Sequence, residues 1–106
     1  MTEVVIILTT VPDEERGDAI ARRLVEERLA ACVNVCAAMT SFYRWKGAVE
    51  RANEHQLVIK AERGRVPTIE SLVRELHPYE LPEFLVLPVV DGTKAYLDWI
   101  VEESRT

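Results

Sequence analysis

Apolar and polar residues alternate along the chain in two rhythms, and the switches between them mark the elements. Val4 to Thr10 is a β-branched run and predicts a buried strand. Pro12 and Asp13 then supply a helix start, with Glu14 and Glu15 placed to favour the positive end of the helix dipole. The helix is expected to run to about Leu29, because Ile20, Ala21, Leu24, Val25 and Leu29 recur at helical spacing while Arg22, Arg23, Glu26 and Glu27 fall on the wet side. From Ala31 to Trp45 no helical stripe appears, and Val33, Val35, Phe42, Tyr43 and Trp45 favour an extended chain. Lys46 and Gly47 form a tight turn into a partner strand that is polar in its outer half and apolar at Leu57 to Ile59.

A second helix follows from Ile69, Leu72, Val73 and Leu76, with Pro67 in its first turn and Pro78 as its stop. Phe84 to Val90 predicts a strand, and Pro88 places it at an edge or a bulge because it lacks a ladder donor. Thr93 is positioned to cap a third helix carrying Tyr96, Leu97, Trp99, Ile100 and Val101. The order β-α-β-β-α-β plus a C-terminal helix describes a ferredoxin-like α+β arrangement in which two helices cover one face of an antiparallel sheet. The other face stays bare. The central hairpin is long, since roughly fourteen residues per arm would reach about 45 Å at strand rise. Val33, Val35, Met39 and Tyr43 alternate on one side of its first arm as if facing another surface, which predicts a homo-oligomer.

With 106 residues, 48% of them hydrophobic, and no repeat or linker, the chain is expected to form one domain over residues 1–106. Thirteen Lys and Arg against 18 Asp and Glu give a formal charge of -5, which argues against nucleic acid or a membrane surface as a partner. The apolar run at Val4 to Leu8 is short and lacks a basic flank, so the expected location is cytoplasmic. Cys32 and Cys36 lie on one predicted strand, about 13 Å apart and beyond bridging distance, so no intrachain disulfide is expected.

The chemistry concentrates in "LHPYELPEF", residues 76–84. His77 suits copper or zinc, and Glu80 and Glu83 are acids able to complete a site or orient the imidazole, with Cys32 as a further candidate ligand. The same stretch also reads as a rigid corner, Pro78 ending the helix, Pro82 fixing the approach to the strand and Tyr79 packing its ring. Lys60 and Glu54 share a strand face by even spacing and are expected near this corner. There is no nucleophile-base pair, Gly-rich phosphate loop or zincin motif, so no enzyme and no organic cofactor are expected.

"RLAACVNV", "SFYRWKGAVE", "EHQLVIK", "LHPYELPEFLVLPV" and "YLDWI", in this order and spacing, resemble the CutA family of CutA1-type divalent-cation tolerance proteins. The resemblance implies a ferredoxin-like fold, a homotrimer related in architecture to PII signalling proteins, a cytosolic setting and weak binding of Cu²⁺ or another divalent cation, with no reaction attached. Family members assigned a copper site use a cysteine at the end of the first strand and a doubled His before the Pro-Tyr; here Thr9 and Leu76 stand in two of those three places. The resemblance also implies an intersubunit cleft formed by Glu54, Lys60, Tyr79, Glu80 and Glu83, to which Trp45 is added as an aromatic suited to an association surface. Ala61 replaces a threonine frequent in the family. An alternative role is a PII-like sensor taking a small anionic ligand, with Lys60 and Arg44 supplying positive charge, or a scaffold that anchors a partner protein.

Overall fold

A computed structural model describes residues 2–105. The elements are β1 (Val4–Val11), α1 (Glu14–Glu26), β2 (Cys32–Trp45), β3 (Ala48–Glu62), a single 3-10 turn at Arg63–Arg65, α2 (Val66–Leu76), β4 (Leu85–Pro88) and α3 (Lys94–Glu103). The four strands form one antiparallel sheet in the order β2-β3-β1-β4. Val5, Ile7 and Val11 of β1 and Leu57, Ile59 and Ala61 of β3 point to the same side and pack with Ile20 and Leu24 of α1 and Ile69, Leu72 and Val73 of α2. That layer is the core. Gly17 allows α1 to sit close on it: a Cβ there would stand 3.2 Å from Val11 Cγ2 and 3.3 Å from Val35 Cγ1.

Local chemistry explains where the elements begin and end. The Asp13 carboxylate accepts from the Arg16 backbone N–H at 2.8 Å and caps α1, as the acidic first turn implies. The helix stops at Glu26, short of the expected Leu29, because Arg28 turns into the left-handed region at φ 57. Leu29 nevertheless reaches the core, since the chain folds back and its N–H bonds to the Leu24 carbonyl. Val25, expected on the apolar face, is exposed. The hairpin turns at Lys46 and Gly47, both at positive φ (49 and 85), as a two-residue turn matched to strand twist requires. Its arms of 14 and 15 residues draw the molecule out to 44 Å against 26 and 24 Å in the other directions.

Three expectations need correction. Val33 and Val35 do not share a face with Met39 and Tyr43: a bulge between Val35 and Ala38 adds one residue to β2 and inverts the alternation, so the two valines pack on the core. β4 is shorter than Phe84 to Val90, and Pro88 closes it at the sheet edge. Thr93 occupies the position before α3 but its side chain makes no capping bond. α3 is held instead from outside, Arg28 donating to the carbonyls of Arg105 and Glu102 at 2.7 and 3.0 Å, while the Ser104 hydroxyl accepts from the Glu62 N–H at 3.0 Å. Cys32 and Cys36 are both free thiols. Among the described residues no helix is long and apolar enough to cross a membrane.

Candidate functional site

The corner between α2 and β4 is built around His77. The preceding helix ends there because Pro78 requires an extended residue before it, and His77 sits at φ -84, ψ 135. Its backbone N–H closes the helix on the Val73 carbonyl, and its ring is buried. Nε2–H donates to the Thr10 carbonyl on β1, and Nδ1 accepts from the Tyr79 backbone N–H at 3.1 Å. These two partners fit one neutral tautomer and occupy both ring nitrogens. The imidazole is therefore a strut that ties the corner to the end of β1.

Tyr79 lies against this strut, with ring centroids 4.7 Å apart, and its hydroxyl donates to Glu54 Oε2 at 3.0 Å. Burial, and then the hydrogen bond to the Glu54 carboxylate, push the Tyr79 phenol from 10.0 up to about 12. Gln56, two residues from Glu54 on the same face of β3, donates to the Thr9 carbonyl at 2.8 Å and to Glu83 Oε2 at 2.9 Å. The corner is thus fastened to the sheet at both ends.

Between the corner and the hairpin arm opens a cleft of about 850 Å³. The register aligns Met39 with Glu54, Ser41 with Ala52 and Tyr43 with Glu50, so Tyr43 and Trp45 share the ribbon face that carries Glu54. Tyr79, Glu80 and Glu83 form the opposite wall. Glu54 is only 7% exposed, and among the described residues no lysine or arginine pairs with it. Lys46 reaches Glu80 at 3.8 Å, an exposed pair of little energetic weight.

The structure gathers Trp45, Glu54, Tyr79, Glu80 and Glu83 and leaves out three other candidates. Lys60 is on the face of Glu54 but farther along β3, with its Nζ 3.4 Å from the Tyr96 hydroxyl of α3. Cys32 pairs in register with Lys60, away from the corner. His77 lies at the corner with its ring nitrogens engaged, so the set His77, Glu80 and Cys32 is not assembled in the chain. Thr9 points into the core with its hydroxyl unpartnered, and among the described residues no three His, Cys, Asp or Glu side chains are grouped to hold a metal. These residues do not fit a resident copper ion. Arg44, offered for an anion, borders the cleft from the other ribbon face, one position out of phase with Tyr43 and Trp45. Sequence reasoning missed Gln56 as a brace; its spacing of two from Glu54 was the available signal.

Fold and cleft together define a small α+β protein with a projecting hairpin and an acidic, aromatic-lined cleft at a helix-to-strand corner. The model of the family "CutA1 divalent ion tolerance protein" matches residues 5–103, and the chain belongs to this family. It is 47% identical over 104 residues to the divalent-cation tolerance protein CutA of Thermus thermophilus, covering 98% of this chain and 99% of that protein. It is 45% identical over 97 residues to human Protein CutA, covering 92% of this chain and 54% of the human protein. Among solved structures, CutA1 from Shewanella sp. SIB1 superposes with a TM-score of 0.95 at 40% identity, covering 99% of this chain and 98% of that one. The Archaeoglobus fulgidus relative, 34% identical with a TM-score of 0.93 over 96% of this chain and 99% of that one, is described as a periplasmic divalent cation tolerance protein CutA. That finding overturns the cytoplasmic location expected from the N-terminus: the lack of a leader-like run in a sequence does not fix a compartment for this fold.

Proposed function

We propose that this chain is a trimeric divalent-cation tolerance protein that holds Cu²⁺ or another divalent ion weakly, at the carboxylates of the cleft rather than through His77 and Cys32. The observation that carries the reading is Glu54, a buried carboxylate without a basic partner among the described residues, facing a cleft shared with Glu80 and Glu83. A buried charge in that condition favours a cation from elsewhere. The family is named for tolerance and not for a reaction, in keeping with binding without catalysis.

The proposed fold is ferredoxin-like, a single domain in a PII-like trimer, and the strand order β2-β3-β1-β4 supports it. Self-association is supported by the sheet face away from α1 and α2, which α3 meets at Lys60 and so leaves only partly bare, and on which Leu85 and Leu87 of β4 sit beside Leu8 and Ile6 of β1, with Leu85 56% and Leu87 42% exposed. Apolar sheet surface of this kind is covered in stable proteins. Sedimentation at micromolar concentration should give a particle of three chain masses; a folded single-chain particle overturns the assembly. Calorimetry with Cu²⁺ and Mn²⁺ should show weak heats that Glu54→Gln reduces and Cys32→Ser leaves alone. A second reading, a small-ligand sensor, is favoured by the aromatic walls, which contribute nothing to a hard metal ion.

A further inference from the structure

We propose that the outer half of the β2–β3 hairpin carries, on the ribbon face opposite the cleft, a docking surface for an acidic segment of another protein. The inference does not depend on what the cleft holds. The register sets Arg44 against Val49 and Phe42 against Arg51, so these four side chains share one face as a checkerboard of two cations and two apolar groups. All four are exposed, Phe42 by 68% and Val49 by 67%. The pairs farther in, Thr40 with Asn53 and Ala38 with His55, bring no acid to this face, and Glu50 and Glu54 lie on the other. A chain of net charge -5 thus displays two neighbouring arginines, neither of which forms an ion pair among the described residues.

The direction of the face is the second argument. Nearer the core it carries Leu57 and Ile59, which makes it the helix side of the sheet. The proposed trimer closes the other side, at the cleft and at the surface of Leu85 and Leu87, so the arginines are turned outward from that seam. Phe42 and Arg44 border the cleft as well, because a ribbon is a single layer, but strand alternation groups their side chains with Val49 and Arg51.

The chemistry of the four residues defines the partner. The Arg51 guanidinium stands 5.8 Å from the centroid of the Phe42 ring. Held there, it is oriented before anything binds, and its N–H groups suit a carboxylate, which accepts two of them at once. Arg44 lies diagonally from Arg51, about 7–8 Å away by ladder geometry. Glutamates two positions apart in an extended segment project to one side at about 6.7 Å, a close match. Their methylenes then cover Phe42 and Val49, which flank the diagonal. A nucleic acid or an anionic membrane fits less well, since either meets the negative field of the whole chain and a short segment meets only the patch.

The test is an NMR titration of the assembled protein with a capped hexapeptide in which glutamate and threonine alternate. Its controls are the glutamine counterpart, a ten-residue oligothymidylate and phosphatidylserine vesicles. The glutamate peptide should shift the amides of Phe42, Arg44, Val49 and Arg51 saturably, with affinity about tenfold weaker in the Arg44→Gln/Arg51→Gln double variant. Arg74→Gln, which removes the same charge on α2, should leave affinity unchanged, and the glutamine peptide should give no saturable shift. No saturable response to the glutamate peptide, an equal response to the glutamine peptide, or equal affinity in wild type and double variant each overturns the proposal. Tighter binding of the oligonucleotide or the vesicles at these residues overturns it in favour of an anionic polymer or surface. Dissociation of the assembly in the double variant, read by sedimentation, overturns it in favour of a second copy of this chain.

Discussion

Replacing His77 with alanine should unfold the protein more readily and leave its metal binding unchanged. His77 is 8% exposed and joins two backbone groups, the Thr10 carbonyl and the Tyr79 N–H. Each hydrogen bond contributes about 1 kcal/mol net. Loss of the buried ring and of its contact with Tyr79 adds about 1 kcal/mol more. The sum, about 3 kcal/mol, corresponds to a fall in melting temperature on the order of 10–20 °C for a chain of this size. Denaturant unfolding followed by tryptophan fluorescence, with wild type and variant at one protein concentration, measures the loss. Copper calorimetry on the same pair measures the alternative. If His77→Ala keeps its unfolding midpoint and loses its copper heat, the imidazole is a ligand and the strut argument fails.

Thr9 is fully buried and its hydroxyl has no hydrogen-bond partner, so Thr9→Val should raise stability by about 1 kcal/mol in the same assay; a loss of that size would mean the hydroxyl is satisfied in solution. The raised Tyr79 phenol makes stability depend on pH. Its proton is held more tightly in the folded state, so the stabilisation is complete below the unfolded value of 10.0 and is lost as pH rises through the folded value of about 12. Tyr79→Phe should therefore show a shallower fall in stability than wild type above about pH 10, and identical slopes would refute the Glu54 contact. Arg28→Ala should free the end of α3, because the guanidinium caps the Arg105 and Glu102 carbonyls. Faster hydrogen exchange over residues 100–105 with little change elsewhere is the expected result, and unchanged protection there would assign α3 to Ile100 and Ser104 alone.

How far the sequence could be read follows from which constraints are local. The Lys46–Gly47 turn, the Pro78 stop and the Asp13 cap are decided by neighbours in the chain, and each stands where its residue type puts it. The bulge after Val35 was invisible, because "NVCAAM" has no glycine or proline to announce it, yet one extra residue exchanges the two faces of a strand. Glu54, Tyr79, Glu80, Glu83 and Trp45 line one cleft, but the grouping came from the family resemblance and from Trp45 as an interface aromatic; residue spacing alone gave only the shared strand face of Glu54 and Lys60 and the closeness of the corner's acids in sequence. Lys60 was misplaced by the same rule that placed Glu54. Even spacing gives a common face, but six residues of strand separate the two by about 20 Å, so a shared face is not a shared place.

His77 shows why residue chemistry alone overstates a metal site. An imidazole followed by proline is a ligand in prospect only while its nitrogens are free, and the Thr10 carbonyl that takes Nε2–H lies 67 positions away in sequence. Pro78 forces the chain out of the helix, and the polar groups it strands need partners within the corner. A neutral histidine answers with one donor and one acceptor on a rigid ring, which a carboxylate or a lysine cannot do. Once the ring is fixed, Tyr79 must project toward the sheet, and its hydroxyl meets Glu54. The histidine therefore shapes the cleft without touching what enters it, and a ligand there is to be sought among groups that face Glu54, Tyr43 and Trp45.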